Sequence, residues 1–82
     1  MTNELIEKFV ETKKREDRYV NIHFKQRDTL SGLFIREKDY EELKSKNFWR
    51  IVSASKMEEW KKTKNQDLAR LYNGAEFTRL SD

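Results

Sequence analysis

Apolar positions recur first with the spacing of a helix and then with the spacing of strands. Leu5, Ile6, Phe9 and Val10 fall at i, i+1, i+4 and i+5 and make one apolar stripe, so residues 3–16 are expected to form an amphipathic helix. Glu4 and Lys8 add a favourable i,i+4 pair, and Lys13, Lys14 and Arg15 suit the negative end of the helix dipole. From Arg18 the period changes to two. Val20, Ile22 and Phe24 alternate with Asn21, His23 and Lys25, the pattern of a half-buried strand. Arg27-Asp28 marks a tight turn, and residues 29–36 form a second strand. There Leu30 and Phe34 share a face with Gly32 between them, while Leu33 and Ile35 point the other way. A strand apolar on both faces needs cover on both sides, from a helix or from another subunit. Glycine inside a strand signals strong bending or a close backbone approach.

The second half is more broken. Asp39 and Glu42 have the spacing of a capping box and predict a short helix at about residues 40–46, ending at Asn47. Residues 48–52, FWRIV, read as a third strand, apolar on both faces, with Trp49 in the core. Ser55 and Glu58 repeat the capping-box spacing and predict a helix through Lys62 that turns Trp60 inward as core or lid. Residues 65–67 read as a loop, residues 68–72 as a fourth strand and residues 75–80 as a fifth. Strands this short, one bent at a glycine, cannot cover a core as a flat sheet. A small closed barrel avoids the problem because closure removes exposed edges.

The chain has 82 residues, enough for one domain with a modest core. Its 40% charged and 35% hydrophobic content leans toward disorder, but 12% aromatics placed inside apolar runs decide for a folded domain with heavily charged surfaces. Without cysteine there is no disulfide scaffold, zinc ribbon or thiol nucleophile. No apolar run is long enough to span a membrane, and the acid-rich N-terminus is not a secretory signal, so the cytoplasm is the expected compartment. The net charge of +3 comes mainly from Arg18, Lys25, Arg27 and Arg36, with a second group at Lys56, Lys61, Lys62 and Lys64. That excess permits phosphate binding without demanding it.

Two stretches carry a resemblance. In residues 20–34, VNIHFKQRDTLSGLF, an alternating strand and a turn lead into apolar-x-Gly-x-apolar. In residues 71–80, LYNGAEFTRL, the positions of Leu71, Tyr72, Gly74, Phe77 and Leu80 follow a second pattern. With the helix ahead of five short strands, they resemble the two motifs of the Sm-like family (Sm, LSm and Hfq-type proteins). The resemblance implies a mostly β fold with some α: a small SH3/Sm-like five-stranded barrel over residues 18–80, an N-terminal helix and two short helical inserts. Asn73-Gly74 would then be the tight turn joining the last two strands, beside a nucleotide pocket. Asn73 stands where the family carries arginine or lysine, and Arg27 or Asp28 replaces the usual turn glycine. Asp39 and Asn47 are the candidates for the family's base-gripping Asp–Asn pair, with extra residues between them.

The function so implied is non-catalytic: an Sm-like module that forms rings and binds single-stranded RNA. Asn47, Tyr72 and Asn73 would line a base pocket, while Arg70, Lys25 and Arg27 contact phosphates. Tyr72 is the aromatic best placed to stack on a base. The residues leave a second reading open, an SH3-like protein-interaction module without nucleic-acid binding, whose partner meets residues 37–47 and 53–67. Nothing points to catalysis. His23 is a lone histidine on a polar strand face, and Ser31, Ser53 and Ser55 lack a nucleophile-elbow context. Glu41-Glu42 and Glu58-Glu59 are neighbours that diverge on a helix. Two glycines cannot build a phosphate-cradling loop, so no cofactor is expected and a dinucleotide-binding dehydrogenase is excluded.

Overall fold

The computed structural model describes residues 1–12 and 18–82. Helix α1 (Asn3–Glu11) opens the chain, with the Thr2 hydroxyl accepting from the Leu5 N–H as its cap. Five strands follow: β1 (Val20–Phe24), β2 (Leu30–Phe34), β3 (Phe48–Ser53), β4 (Ala69–Asn73) and β5 (Phe77–Ser81). Helix α2 (Tyr40–Ser45) lies between β2 and β3, and helix α3 (Met57–Thr63) between β3 and β4. Single 3₁₀ turns occupy Ala54–Lys56, Gln66–Leu68 and Gly74–Glu76. The expected helix over 3–16 stops sooner, at Glu11, because Thr12 leaves it in an extended conformation as its C-cap; the Lys13-Lys14-Arg15 run lies outside the described residues. None of the described helices is long and apolar enough to cross a membrane.

All pairings are antiparallel, in the order β4-β3-β2-β1-β5. The two edge strands, β4 and β5, are nonetheless joined by only the 3₁₀ turn Gly74–Glu76. Four strand spacings across a flat sheet come to about 19 Å, whereas the four residue steps from Asn73 to Phe77 reach at most about 14 Å. The sheet therefore curls, and its edges are drawn together at that corner. Phe24 of β1 accordingly meets Tyr72 of β4, two strands that are not sheet neighbours. Asn73-Gly74 is thus the start of a corner between strands that both run antiparallel to their neighbours, not the tip of a hairpin.

Curling gives the sheet an inner and an outer face, each with its own core. Ile6 and Val10 of α1 enter the inner cluster with Val20, Ile22, Phe24, Phe34, Trp49, Ile51, Phe77 and Leu80. Leu5 was expected in the apolar stripe, but it is 55% exposed because the buried face is centred on Ile6 and Val10, about 100° away around the helix. On the outer face Leu33, Ile35 and Val52 pack against Met57 and Trp60 of α3. The strands that are apolar on both sides are therefore covered by this chain's own helix. Each such side chain contributes about 1.5–3 kcal/mol when buried, a large share of the few kcal/mol that stabilise a domain of this size. Gly32 meets its expectation of close approach: a Cβ there would stand 2.6 Å from Ile51 Cγ2 and 3.1 Å from the Val52 carbonyl oxygen.

Neither expected capping box forms. Asp39 makes no cap hydrogen bond because Arg50 of β3 takes its carboxylate through two N–H donors, Nε at 3.3 Å and Nη2. Ser55 sits within a 3₁₀ turn and bonds the Ser53 hydroxyl at 3.1 Å. Helix α2 is fixed to α1 by other means. Lys44 Nζ stands 3.3, 3.4 and 2.9 Å from carboxylates of Glu7, Glu11 and Glu41, and the Tyr40 hydroxyl donates to Glu11 at 2.7 Å. The Tyr40 hydrogen bond, aided by Lys44, holds the Glu11 carboxyl below its usual range.

The Arg50 hydrogen bonds, opposed by some desolvation, likewise depress the Asp39 pKa. A carboxylate depressed in the folded state adds stability that is present above its unfolded pKa of about 3.9 and is lost as pH falls through the folded value. Urea midpoints measured from pH 5 to pH 2 should fall in wild type, and Asp39→Asn should show a shallower fall over the acid end of that range. Identical slopes would mean that the pair contributes nothing to acid sensitivity.

Candidate nucleic-acid interface

The β1–β2 connection brings Lys25 and Arg27 to the same end of the sheet as the β4–β5 corner, where the Lys25 N–H donates to the Glu76 carbonyl at 3.0 Å. Arg27 folds back over two rings, its Cζ 5.0 Å from the centre of Phe24 and 5.6 Å from that of Tyr72. Phe24 in turn stands edge-on to Phe77, with centroids 5.2 Å apart, and tilted against Tyr72 at 5.9 Å. Three rings thus run from the core to the surface, and a guanidinium covers the outer two. Such a cation contributes about 0.5–1 kcal/mol at an exposed site.

The register of β4 places the rest. Arg70 and Tyr72 lie opposite Ile51 and Trp49, both of the inner cluster, so they share the inner face. Ala69, Leu71 and Asn73 turn outward. A cavity of about 360 Å³ beside the ring row is lined by Lys25, Arg27 and Glu76, among others. On the far side of Tyr72 a second, of about 240 Å³, lies between Leu30, Ile51, Lys56 and Arg70. Glu76 is the single carboxylate in either lining. Among the described residues Lys25, Arg27, Lys56 and Arg70 make no ion pair, unlike Lys44, Lys46 and Arg50.

Four of the six residues expected to bind nucleic acid therefore gather around the ring row: Lys25, Arg27, Arg70 and Tyr72. The two asparagines serve the fold. Asn47 adopts a left-handed backbone with φ of 64°. Its Nδ2 donates to the Met1 carbonyl at 3.0 Å, its Oδ1 accepts from Trp49 Nε1 at 2.9 Å, and its own carbonyl accepts from the Gly74 N–H at 2.8 Å. Asn73 is exposed on the outer face, away from Tyr72, and its Oδ1 accepts from the Ala75 N–H at 2.9 Å to cap the 3₁₀ turn. Asp39 is held by Arg50, so Asp39 and Asn47 are committed to different partners.

Trp49 and Trp60 are 2% and 6% exposed, consistent with core roles. His23 sits in a network on β1 and β5: its Nδ1 lies 3.1 Å from the Thr29 hydroxyl, and its Nε2 lies 3.3 Å from Arg79 and 3.2 Å from Ser81. Phe24, 9% exposed, lies in the core as alternation expected. Lys56, noted in the sequence only within a general basic excess, is the residue not singled out beforehand, and the pairing of β3 with β4 brings it beside Arg70.

Replacing Asn47 by alanine should cost about 2–3 kcal/mol, because it strips two part-buried partners of their hydrogen bonds and removes the polar side chain that makes a left-handed backbone tolerable. Arg70→Ala should stay within about 0.5 kcal/mol. Urea unfolding of the two variants measures the contrast, and equal losses would contradict it. Compared with protein-family models, with curated proteins and with solved structures, the chain matches none.

Proposed function

We propose that this chain is a non-catalytic, Sm-like barrel module that binds single-stranded RNA across the face centred on Tyr72. In this reading the curl of the five-stranded sheet completes an SH3-type barrel. The observation that carries the function is the row Phe77–Phe24–Tyr72 under Arg27, with cavities on either side whose cations make no ion pair among the described residues. Single-stranded RNA needs these two elements: a ring or guanidinium plane for an unstacked base, and positive charge along the backbone. Asn47 drops out as a base reader because both ends of its amide are engaged within the chain, and Asn73 because it faces outward, away from Tyr72, with its Oδ1 capping the 3₁₀ turn.

Fluorescence anisotropy with a short, unstructured oligouridine tests the proposal. Tyr72→Ala should weaken binding about tenfold or more, in line with stacking worth about 1–3 kcal/mol per base. Arg27→Ala should also flatten the dependence of log K on log salt by about 0.7. Unchanged affinity and slope in both variants would overturn it.

The outer edges of β4 and β5 have no partner in the strand order, which supports assembly through edge pairing of one copy's β4 with the next copy's β5. Cover of the outer core by α3 removes any need for a second subunit there, so the ring rests on the edges alone. Light scattering on a sizing column at moderate salt should give a particle of several subunits; a monomer would reject the ring. A second reading, a protein-interaction module, is favoured by one observation. Phe48 and Leu71, 37% and 50% exposed, stand near one another on the outer face beside the unpaired edge of β4.

A further inference from the structure

We infer that the cleft of about 240 Å³ on the Lys56 side of Tyr72 is a phosphate subsite, occupied by a backbone phosphodiester of the same strand whose base lies on Tyr72. The inference rests on the RNA-binding reading and adds a place and a chemistry to it. Arg70 is two residues from Tyr72 on one strand face, about 7 Å along β4, so the two side chains project side by side. Lys56 reaches the cleft from the 3₁₀ turn before α3. Arg70 offers a planar fork of donors suited to two phosphate oxygens, and Lys56 offers a mobile point charge.

Hydroxyls complete the lining. Ser53 and Ser55 both face the cleft and stand 3.1 Å apart. When one hydroxyl donates to the other, the second keeps its proton for an oxygen acceptor outside the pair. The floor is Leu30 and Ile51, which places the two charges over apolar surface, where an opposite charge is screened less than in open water. No carboxylate lines the cleft, and among the described residues neither cation has an ion-pair partner. This surface thus has donors and positive charge, and its lining holds no acid to balance them. A polyanion is the complementary ligand.

Two titrations test this inference apart from the one it rests on. In the first, amide spectra are recorded with inorganic phosphate. Shifts should concentrate at Ser53, Ser55, Lys56 and Arg70 and vanish in the double variant Lys56→Gln, Arg70→Gln; shifts scattered over other lysines, or none, overturn the subsite. In the second, oligouridine is titrated with and without a 5′-phosphate, against wild type, Tyr72→Ala and the double variant. The double variant should lose about tenfold in affinity and flatten the salt slope by about 1.4, for two lost contacts to a single strand. That loss should be equal for both oligonucleotides, and a loss confined to the 5′-phosphorylated one would overturn the phosphodiester as occupant. Binding that needs Tyr72 but ignores the double variant rejects the subsite and keeps the RNA reading. Phosphate shifts at the cleft with no RNA binding reject the RNA reading and keep an anion site.

Discussion

The fold depends on how closely Asn47 approaches Gly74. The Asn47 carbonyl takes the Gly74 N–H, while its side chain bonds the Met1 carbonyl and the indole of Trp49. A Cβ on Gly74 would collide with the Asn47 amide and with Ile6 Cδ1. The glycine needs no positive φ; it is required for want of space. Through this one contact the start of β3, the start of α1 and the β4–β5 corner share a position. The Met1 ammonium tightens the same knot by donating to the carbonyls of Gly74 at 3.0 Å and Phe77 at 2.7 Å. Burial, and secondarily the Lys25 charge, push its pKa below the usual value.

Holding that corner decides which surfaces remain open. Once the edges are drawn together, α1 fills one end of the inner face and α3 covers the outer one. What stays uncovered is the end where Phe24, Tyr72 and the β1–β2 connection meet, and there, among the described residues, Lys25 and Arg27 make no ion pair. Several acids are used elsewhere, in the Lys44 cluster and the Asp39–Arg50 pair, while Glu76 is the one acid lining the cavity beside Lys25 and Arg27. The two cavities beside the ring row therefore hold four cations, Lys25, Arg27, Lys56 and Arg70, and one acid, Glu76.

Much of the architecture was legible in the sequence because the periods were clean. Alternation at Val20, Ile22 and Phe24 fixed β1, and the double-sided pattern of Leu33 and Ile35 correctly demanded a second cover, although not which element would supply it. The caps misled because a capping box is a local pattern. Asp39 found a stronger partner in Arg50, eleven residues away, than in its own helix. The candidate site was partly legible: Arg70 and Tyr72 share a face by alternation alone. Asn47 and Asn73 looked chemical because amides read bases, but the same donors and acceptors serve equally well to tie three chain segments together. Lys56 gave no local signal, since its place depends on a pairing between distant strands.

The corner also has a consequence in time. Met1 is bonded to Phe77, and β1 is paired with β5, so the contacts that close the inner core join residues more than fifty positions apart. Such non-local topologies pay their loop-closure entropy before any contact compensates, and they fold in milliseconds to seconds rather than microseconds. The chain contains no proline, so no slow X–Pro isomerisation adds to that search. During synthesis, one edge of β1 stays unpaired until residues 77–81 emerge. For that interval the outer cluster under α3 has all its buried members while the inner one lacks Phe77 and Leu80, and the β1 edge that β5 later covers is open to any neighbouring strand.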